Sequence, residues 1–310
     1  LIAGVRIEHT DQGYTLKFPT ENAAPEGNQR YTDILPSFHA KYAIHSNGNL
    51  RFSYARAINR PSFFEIVPYS IINEDYKEKG NPELKHTVAD NIDLRYEFFP
   101  RSSEQIMVGL FYKNIKDPIE YGLLNEGQDT YYKPMNFGTA NNWGLEVDIL
   151  KYFNWLGIKA NYTYTYSKIT TEKRVMQGSE VTTTTQSRPL FGQAAHVANI
   201  SFLLKDSKHG WEGQLAMGYT GKRLSDISNW ADNDIWEKGY TQLDASIEKT
   251  LPRGFCLFLK ASNLLNIPVL RYVHQSERTA NVDSERDNSN LVERKSWHGQ
   301  SLMIGARFRL

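Results

Sequence analysis

Along nearly all of this chain, short stretches alternate apolar and polar residues with a period of two. Residues 158–166 show it cleanly: Ile158, Ala160, Tyr162, Tyr164 and Tyr166 fall on one face, and Lys159, Asn161, Thr163 and Thr165 on the other. That period belongs to a strand and excludes an amphipathic helix. Ile92, Leu94, Tyr96 and Phe98 likewise oppose Asn91, Asp93, Arg95 and Glu97. The C-terminus sets Leu302, Ile304, Ala306, Phe308 and Leu310 against Ser301, Met303, Gly305, Arg307 and Arg309. The pattern predicts about twelve strands, at residues 2–16, 31–45, 49–60, 87–99, 105–114, 143–153, 157–169, 194–206, 210–223, 239–250, 255–266 and 298–310. Most are about ten residues or longer, the length at which a tilted strand crosses a bilayer; soluble strands usually stop at about five or six.

The connections alternate strictly between short and long. Short turns are expected near Ser46-Asn47-Gly48, Pro100-Arg101-Ser102, Asn154-Trp155, Ser207-Lys208-His209 and Pro252-Arg253-Gly254. Long polar loops are expected near 17–30, 61–86, 115–142, 170–193, 224–238 and 267–297. Short turns on the periplasmic side and long loops outside are the signature of a transmembrane β-barrel. The fold predicted is therefore all-β, an antiparallel up-and-down barrel, with Leu1 and Leu310 both at the periplasmic end.

The strand rhythm crosses all 310 residues without a linker-like break, so residues 1–310 are expected to form one domain. No run approaches the length of apolar sequence that a transmembrane helix needs. Mean hydropathy is negative, as a polar lumen face and polar loops make it. The formal charge is +1 with charged residues spread throughout; the absence of a basic stripe argues against a nucleic-acid reader. Aromatics make up 13% of the chain, with 18 tyrosines. They suit girdles at two membrane interfaces, although Tyr is also a good strand former anywhere. The lone cysteine, Cys256, sits in a strand among apolar neighbours and reads as a packing residue.

Several segments resemble the C-terminal barrel of TonB-dependent outer-membrane receptors, in particular the Bacteroidetes-type outer-membrane β-barrel family. They are SYARAINRPS at 53–62, GNPEL at 80–84 followed by Asn91, Leu94 and Tyr96, FYKNIKDPI at 111–119, NFGTANNWGLEV at 136–147, RPLFGQAAHVANI at 188–200, and 243–266 ending in ASNLLN. Singly each is weak, since Gly-Asn-Pro alone is a turn signal; in order and on strand boundaries they are specific. The resemblance implies a barrel of about twenty-two strands, within the range of bacterial barrels, preceded by a plug and a short segment that engages TonB. The chain is then expected to be the C-terminal part of a longer receptor, with LIAGVRIEHT beginning mid-barrel. Its first residue is Leu and no signal peptide is visible, which fits a mature fragment or an engineered one. Two departures stand out: no plug, and Leu310 where such barrels commonly end on an aromatic, with Phe308 two positions earlier. A barrel without its first strands has two open edges, which invite pairing or aggregation. The implied partners are outer-membrane lipid, the TonB complex through the missing N-terminal part, a small-molecule or glycan ligand, and a surface lipoprotein. No cofactor is implied.

Asn59-Arg60-Pro61 reads as a strand stop, since Pro cannot donate to a ladder. In the family reading Arg56 and Arg60 line the upper lumen, near plug or ligand; an ordinary charged lumen face is the plainer alternative. Loop 224–238 carries Asp226, Trp230, Asp232, Asp234 and Trp236. Its carboxylates suit calcium in kind but not in EF-hand spacing, so solvated loop charge is expected. Trp230 and Trp236 suit stacking on a sugar or aromatic ligand, or packing of the loop itself. The loop 267–297 is charged and expected to be mobile. There is no Gly-x-Ser-x-Gly elbow and no glycine-rich phosphate loop, and the histidines are scattered without metal-pair spacing. Neither catalytic nor metal-ligating residues are expected. Three functions remain: an energised uptake receptor for a scarce nutrient such as a siderophore or glycan; a complete twelve-stranded passive pore or phospholipase-like enzyme; and a soluble all-β protein such as a propeller, for which no repeat period is found.

Overall fold

The computed structural model describes residues 1–19, 24–73, 76–126, 129–274, 286–287 and 290–308. It opens with β1 (Ile2–Thr15), β2 (Glu26–His45) and β3 (Gly48–Asn59), followed by a one-turn helix α1 (Phe63–Ile66) and the hairpin β4 (Ser70–Ile72) and β5 (Lys77–Lys79). β6 (Thr87–Phe98) and β7 (Gln105–Lys116) lead to a second hairpin, β8 (Ile119–Glu126) and β9 (Asp129–Asn136). β10 (Thr139–Phe153) turns into β11 (Leu156–Gln177), whose upper half pairs with β12 (Glu180–Arg188) and whose lower half pairs with β13 (His196–Asp206). The remainder is β14 (Trp211–Thr220), β15 (Arg223–Ser228), β16 (Ile235–Glu237), β17 (Tyr240–Thr250), β18 (Phe255–Ser262), β19 (Val269–His274), β20 (Arg286–Asp287), β21 (Asn290–Ser296) and β22 (Ser301–Phe308).

Two sheets result. The wall runs β1-β2-β3-β6-β7-β10-β11-β13-β14-β17-β18-β22, each strand antiparallel to its predecessor, with β12 attached to β11. These twelve strands fall on the twelve spans that the alternation predicts. The second sheet runs β20-β21-β19-β16-β15-β8-β9-β5-β4 and consists wholly of strands from the long connections. A meander returns all its alternate connections to one end, so these excursions meet there and form a canopy. Two of its pairings, β5 with β9 and β8 with β15, are parallel and join separate connections. The long polar loops are in large part sheet, because neighbouring peptide groups that exclude water must pair with one another. Leu310, together with 275–285 and 288–289 of the last loop, lies outside the described residues, and the expectations about the chain end and that loop's mobility fall there.

Register sorts the wall into two faces. Tyr54, Ile92, Tyr112, Trp143 and Tyr166 are successive partners across β3, β6, β7, β10 and β11. At the turn end the same face carries Phe153, Trp211, and the pair Phe255 and Phe308, whose ring centroids are 4.8 Å apart. Trp143 and Phe153 mark the two limits on a single strand. A rise of ~3.4 Å per residue and a tilt of ~40° put them about 26 Å apart, the height of a barrel's apolar band. Between these limits the face is bare hydrocarbon: Leu110 is 54% exposed and Phe202 48%. A continuous apolar surface of that kind needs a partner, and its height matches lipid. The other face carries ion pairs instead, Arg51 with Glu97 at 2.8 Å, Arg95 with Glu146 at 3.8 Å, and Arg307 with Glu248.

The best-buried apolar side chains lie at the canopy end: Ile66, Leu84, Pro134, Ile169, Leu224 and Ile227. Each contributes about 1.5–3 kcal/mol by leaving water. Among the described strands, β1 and β22 each pair on one side only, so the wall is an open sheet.

Val108→Arg places a charge mid-band on the apolar face and is expected to cost ~2–4 kcal/mol in a bilayer. Met107→Arg, next along β7 but facing its register partners Glu97 and Asp148, is expected to cost far less. Urea unfolding from lipid vesicles measures both; equal costs would refute the assignment of faces.

Candidate functional site

The canopy is held by the segments that stand out in the sequence. Asn59 ends β3, and Pro61 turns the chain into α1. Ser62 caps that helix: its Oγ accepts from the Glu65 amide at 3.3 Å, while the Glu65 carboxylate accepts from the Ser62 amide at 2.6 Å. Gly80 passes so close to α1 that an added Cβ would fall on the Val67 carbonyl oxygen. Asn81, buried beside it, donates to the Pro134 carbonyl at 2.9 Å. Asn136 closes the same seam, accepting from the Lys85 amide at 2.8 Å and donating to the Asp117 carbonyl at 2.8 Å. The Gly-Asn-Pro and Asn-Phe-Gly segments are thus docked on each other.

Two buried ion pairs extend this framework. Arg188, ending β12, meets Glu120 of β8 with two hydrogen bonds, at 3.2 and 2.9 Å, and lies 5.1 Å from the Phe137 ring centroid. Glu120 also accepts from the Phe191 amide at 2.6 Å. Lys173, on the upper part of β11, donates to Asp234 at 2.5 Å and to the Ser228 carbonyl at 2.6 Å. Its side chain is 1% exposed and that of Asp234 5%. Burial pushes the Lys173 amine below the usual lysine range, and the facing carboxylate opposes the shift.

Beside these pairs is a cavity of about 310 Å³, lined by Gln186, Arg188, Lys222, Asp232, Trp236 and Tyr272 among others. Lys222 holds its ammonium 5.4 Å from the Trp236 ring centroid. Trp236 and Tyr272 are cross-strand partners on β16 and β19. Gln186 donates to Asp232 at 2.8 Å. The Arg188 Nε and the Gln186 Oε1 are buried without a partner. An aromatic wall, a cation and two unmet hydrogen-bonding atoms suit a small polar ligand with a flat face.

Of the residues singled out in the sequence, Trp236 lines this cavity and Trp230 does not. Trp230 forms a parallel bridge with Arg174, packing its loop onto β11. Arg60 lies on the polar face, bonded to Glu8 and, at 2.8 Å, to the Thr10 hydroxyl. Arg56 departs from the expected lumen position. It shares the apolar face with Phe52 and Tyr54 and makes a two-pronged pair with Asp90 at 2.9 and 3.0 Å. The strand period decides this, since Arg56 is an even number of residues from Tyr54. The carboxylates of 224–238 are likewise not simply solvated: Asp226 pairs with Arg271, Asp232 accepts from Gln186, and Asp234 meets Lys173. Burial pushes Asp226 above the usual carboxylate range despite Arg271. Lys173 and Glu120 carry no local signal, because each reads as an ordinary polar residue of a strand until its distant partner is known. Arg188 stands inside the RPLF segment, which was the only hint.

A family model described as "TonB dependent receptor-like, beta-barrel" matches residues 1–264. No curated protein matches. Among solved structures, the siderophore receptor PiuA from Acinetobacter baumannii is 15% identical with a TM-score of 0.66, covering 99% of this chain and 40% of that one. The siderophore receptor PirA from Pseudomonas aeruginosa is 15% identical with a TM-score of 0.54, covering 91% and 44%. The ferric enterobactin receptor of Pseudomonas aeruginosa is 16% identical with a TM-score of 0.53, covering 78% and 36%. At these identities the likeness is one of fold. The chain spans about two fifths of the length of these structures.

Lys173→Met leaves Asp234 buried without its cation and is expected to destabilise the canopy by about 3–5 kcal/mol. Lys173→Met with Asp234→Leu removes both charges and should restore most of the loss. Amide exchange over 224–238 reads the difference. Equal protection in wild type and the single variant would mean that the pair does not hold the canopy.

Proposed function

Because this chain belongs to the TonB-dependent receptor β-barrel family, we propose that it forms the C-terminal wall and outer canopy of a receptor for energised uptake of a scarce nutrient, a siderophore, glycan or similar ligand. The family consists of transporters, not enzymes, and its barrels sit in the bacterial outer membrane. In this reading residues 1–310 are one domain of Bacteroidetes type, both chain ends are periplasmic, and the canopy faces outward. The plug and the TonB-engaging segment belong to the preceding part of the polypeptide, and a surface lipoprotein is a further partner.

The observation that carries the reading is the open twelve-stranded wall that follows PiuA over 99% of this chain while accounting for 40% of that structure. β1 and β22, each with one edge open, suit a wall continued by further strands. They weigh against the alternative of a complete twelve-stranded pore or phospholipase-like enzyme, in which those two strands would pair with each other. The chemistry required of the chain is binding and gating, without a covalent step. Trp236 supplies a flat apolar anchor, Lys222 a charge beside it, and the unmet atoms of Arg188 and Gln186 a polar contact. Arg60 stands on the polar face, where a plug or a passing ligand would meet it.

Energised uptake has a direct test. Cells producing the native polypeptide are offered radiolabelled siderophore–iron and labelled oligosaccharides, with and without a protonophore. Uptake is expected for one ligand class and should stop when the proton-motive force collapses. Uptake that continues unchanged would establish a passive pore. Trp236→Ala is expected to weaken binding of the imported ligand roughly tenfold, the scale of an aromatic anchor, with the amount of protein in the membrane unchanged.

A further inference from the structure

The canopy keeps the order of the wall. Read from β20, its strands come from the connection between β18 and β22, then from that between β14 and β17, then from that between β7 and β10, and last from that between β3 and β6. β4 is therefore the canopy edge on the side where β1 is the edge of the wall. The connection that carries β4 is also stitched to that side. Gln12 of β1 donates to the Pro61 carbonyl at 3.2 Å, and Gln29 of β2 donates to the Leu84 carbonyl at 2.7 Å. Two open edges, one in each sheet, thus lie on the same side of the molecule.

The canopy edge is apolar. Ile72 of β4 is 78% exposed and Phe64 of α1 76%, and Ile71 and Phe63 are exposed beside them. Successive residues of a strand point to opposite faces, so the two isoleucines flank the edge of β4 on both faces. The helix cannot turn its rings inward. Ile66, on the same single turn, is buried and takes the inward position. The Ser62–Glu65 capping box holds the helix so, as does the Asn81 backbone amide, which donates to the Glu65 carbonyl at 2.6 Å. Among the described strands β4 pairs only with β5. An exposed edge normally carries Lys or Pro to repel a further strand, and β4 carries neither. The lysines of β5 are drawn the other way, toward β9: Lys77 pairs with Asp129 at 2.6 Å, and Lys79 lies 3.4 Å from the Tyr131 ring centroid.

We propose that this edge docks a strand from the long canopy-side connection joining the two wall strands that precede β1. Parity selects that segment. β1 runs from the turn end up to the canopy, so the strand before it descends from the canopy, and the connection at its upper end is the nearest long one outside residues 1–310. The incoming strand pairs with β4 and lays apolar side chains on Ile71, Ile72, Phe63 and Phe64. Joins of this kind already build the canopy, since β5 with β9 and β8 with β15 each pair strands from separate connections. Two copies pairing through β4 would join only three residues a side, far short of the roughly 1,200 Å² that a stable interface buries. Within one polypeptide so short a pairing suffices, because the wall already holds its partners together. The inference rests on the receptor reading, in which further strands continue the wall.

The test uses the native polypeptide in the outer membrane of living cells, with the photocrosslinking residue p-benzoylphenylalanine in place of Ile72. Irradiation is expected to join position 72 to the segment preceding Leu1, without added mass on a denaturing gel, and mass spectrometry identifies the joined peptides. The same probe in place of Phe64 should reach that segment too. Ile71→Asp with Ile72→Asp should lower the yield from position 64 by about tenfold or more, the scale of withdrawing two apolar side chains from a contact. Both isoleucines are exposed, so the amount of protein in the membrane should not change. Links to a second copy or to another protein, links only within 1–310, no link at all, or an unchanged yield in the double variant would overturn the inference and leave the receptor reading standing. A native polypeptide of this chain's own mass would overturn both.

Discussion

A peptide N–H or C=O left unpaired in hydrocarbon costs several kcal/mol, and the whole wall answers to that constraint. Each wall strand between β1 and β22 finds a partner on both sides, always its neighbour in the wall and always antiparallel. Once the backbone is satisfied in this way, side chains have only two directions to take, and the period of two in the sequence becomes a lipid face and a polar face. The height of the lipid face then follows from strand length and tilt, and the aromatic residues stand at its limits.

The same requirement governs the canopy by other means. Outside the bilayer, water can solvate a loop, but here the long connections crowd at one end of a meander and exclude water from one another. They respond by pairing as a second sheet and by burying two ion pairs, Arg188 with Glu120 and Lys173 with Asp234. Buried pairs add little net stability, because desolvation offsets most of the attraction, but breaking one leaves a stranded charge. The first pair ties β12 to β8, and the second ties β11 to the connection between β15 and β16. The cavity with Trp236 on its wall is a by-product of that arrangement, and its shape therefore depends also on Glu120 and Lys173, which do not line it.

Seen from outside, the molecule assigns its charges by depth. On the polar face, charges meet one another in ion pairs such as Arg51 with Glu97. On the lipid face, charge appears only where the aromatic row ends. Arg56 illustrates why identity alone does not assign a role: the same guanidinium reads as a lumen contact if its strand is considered in isolation, and as half of an ion pair on the apolar face once its register with Tyr54 and Asp90 is known.

The local order of this protein was legible without coordinates. Alternation located the twelve wall strands, the Gly-, Asn- and Pro-rich breaks located the turns, and strand length distinguished a membrane wall from a soluble sheet. All of these depend on neighbours within a few residues, and that range is what a sequence displays. The resemblance of SYARAINRPS, GNPEL and their companions to a receptor family was legible for a related reason, since each segment carries its own turn or seam chemistry. Pairings between distant segments were not. Lys173 and Asp234 lie 61 positions apart, and Arg188 and Glu120 lie 68 apart. Nothing in either partner's surroundings marks it as buried. The parallel joins of β5 with β9 and β8 with β15, the separation of Trp236 from Trp230, and the outward turn of Arg56 at the membrane surface likewise arise from register between strands. Register is set by the summed pairing of whole elements, so only the tertiary structure decides it.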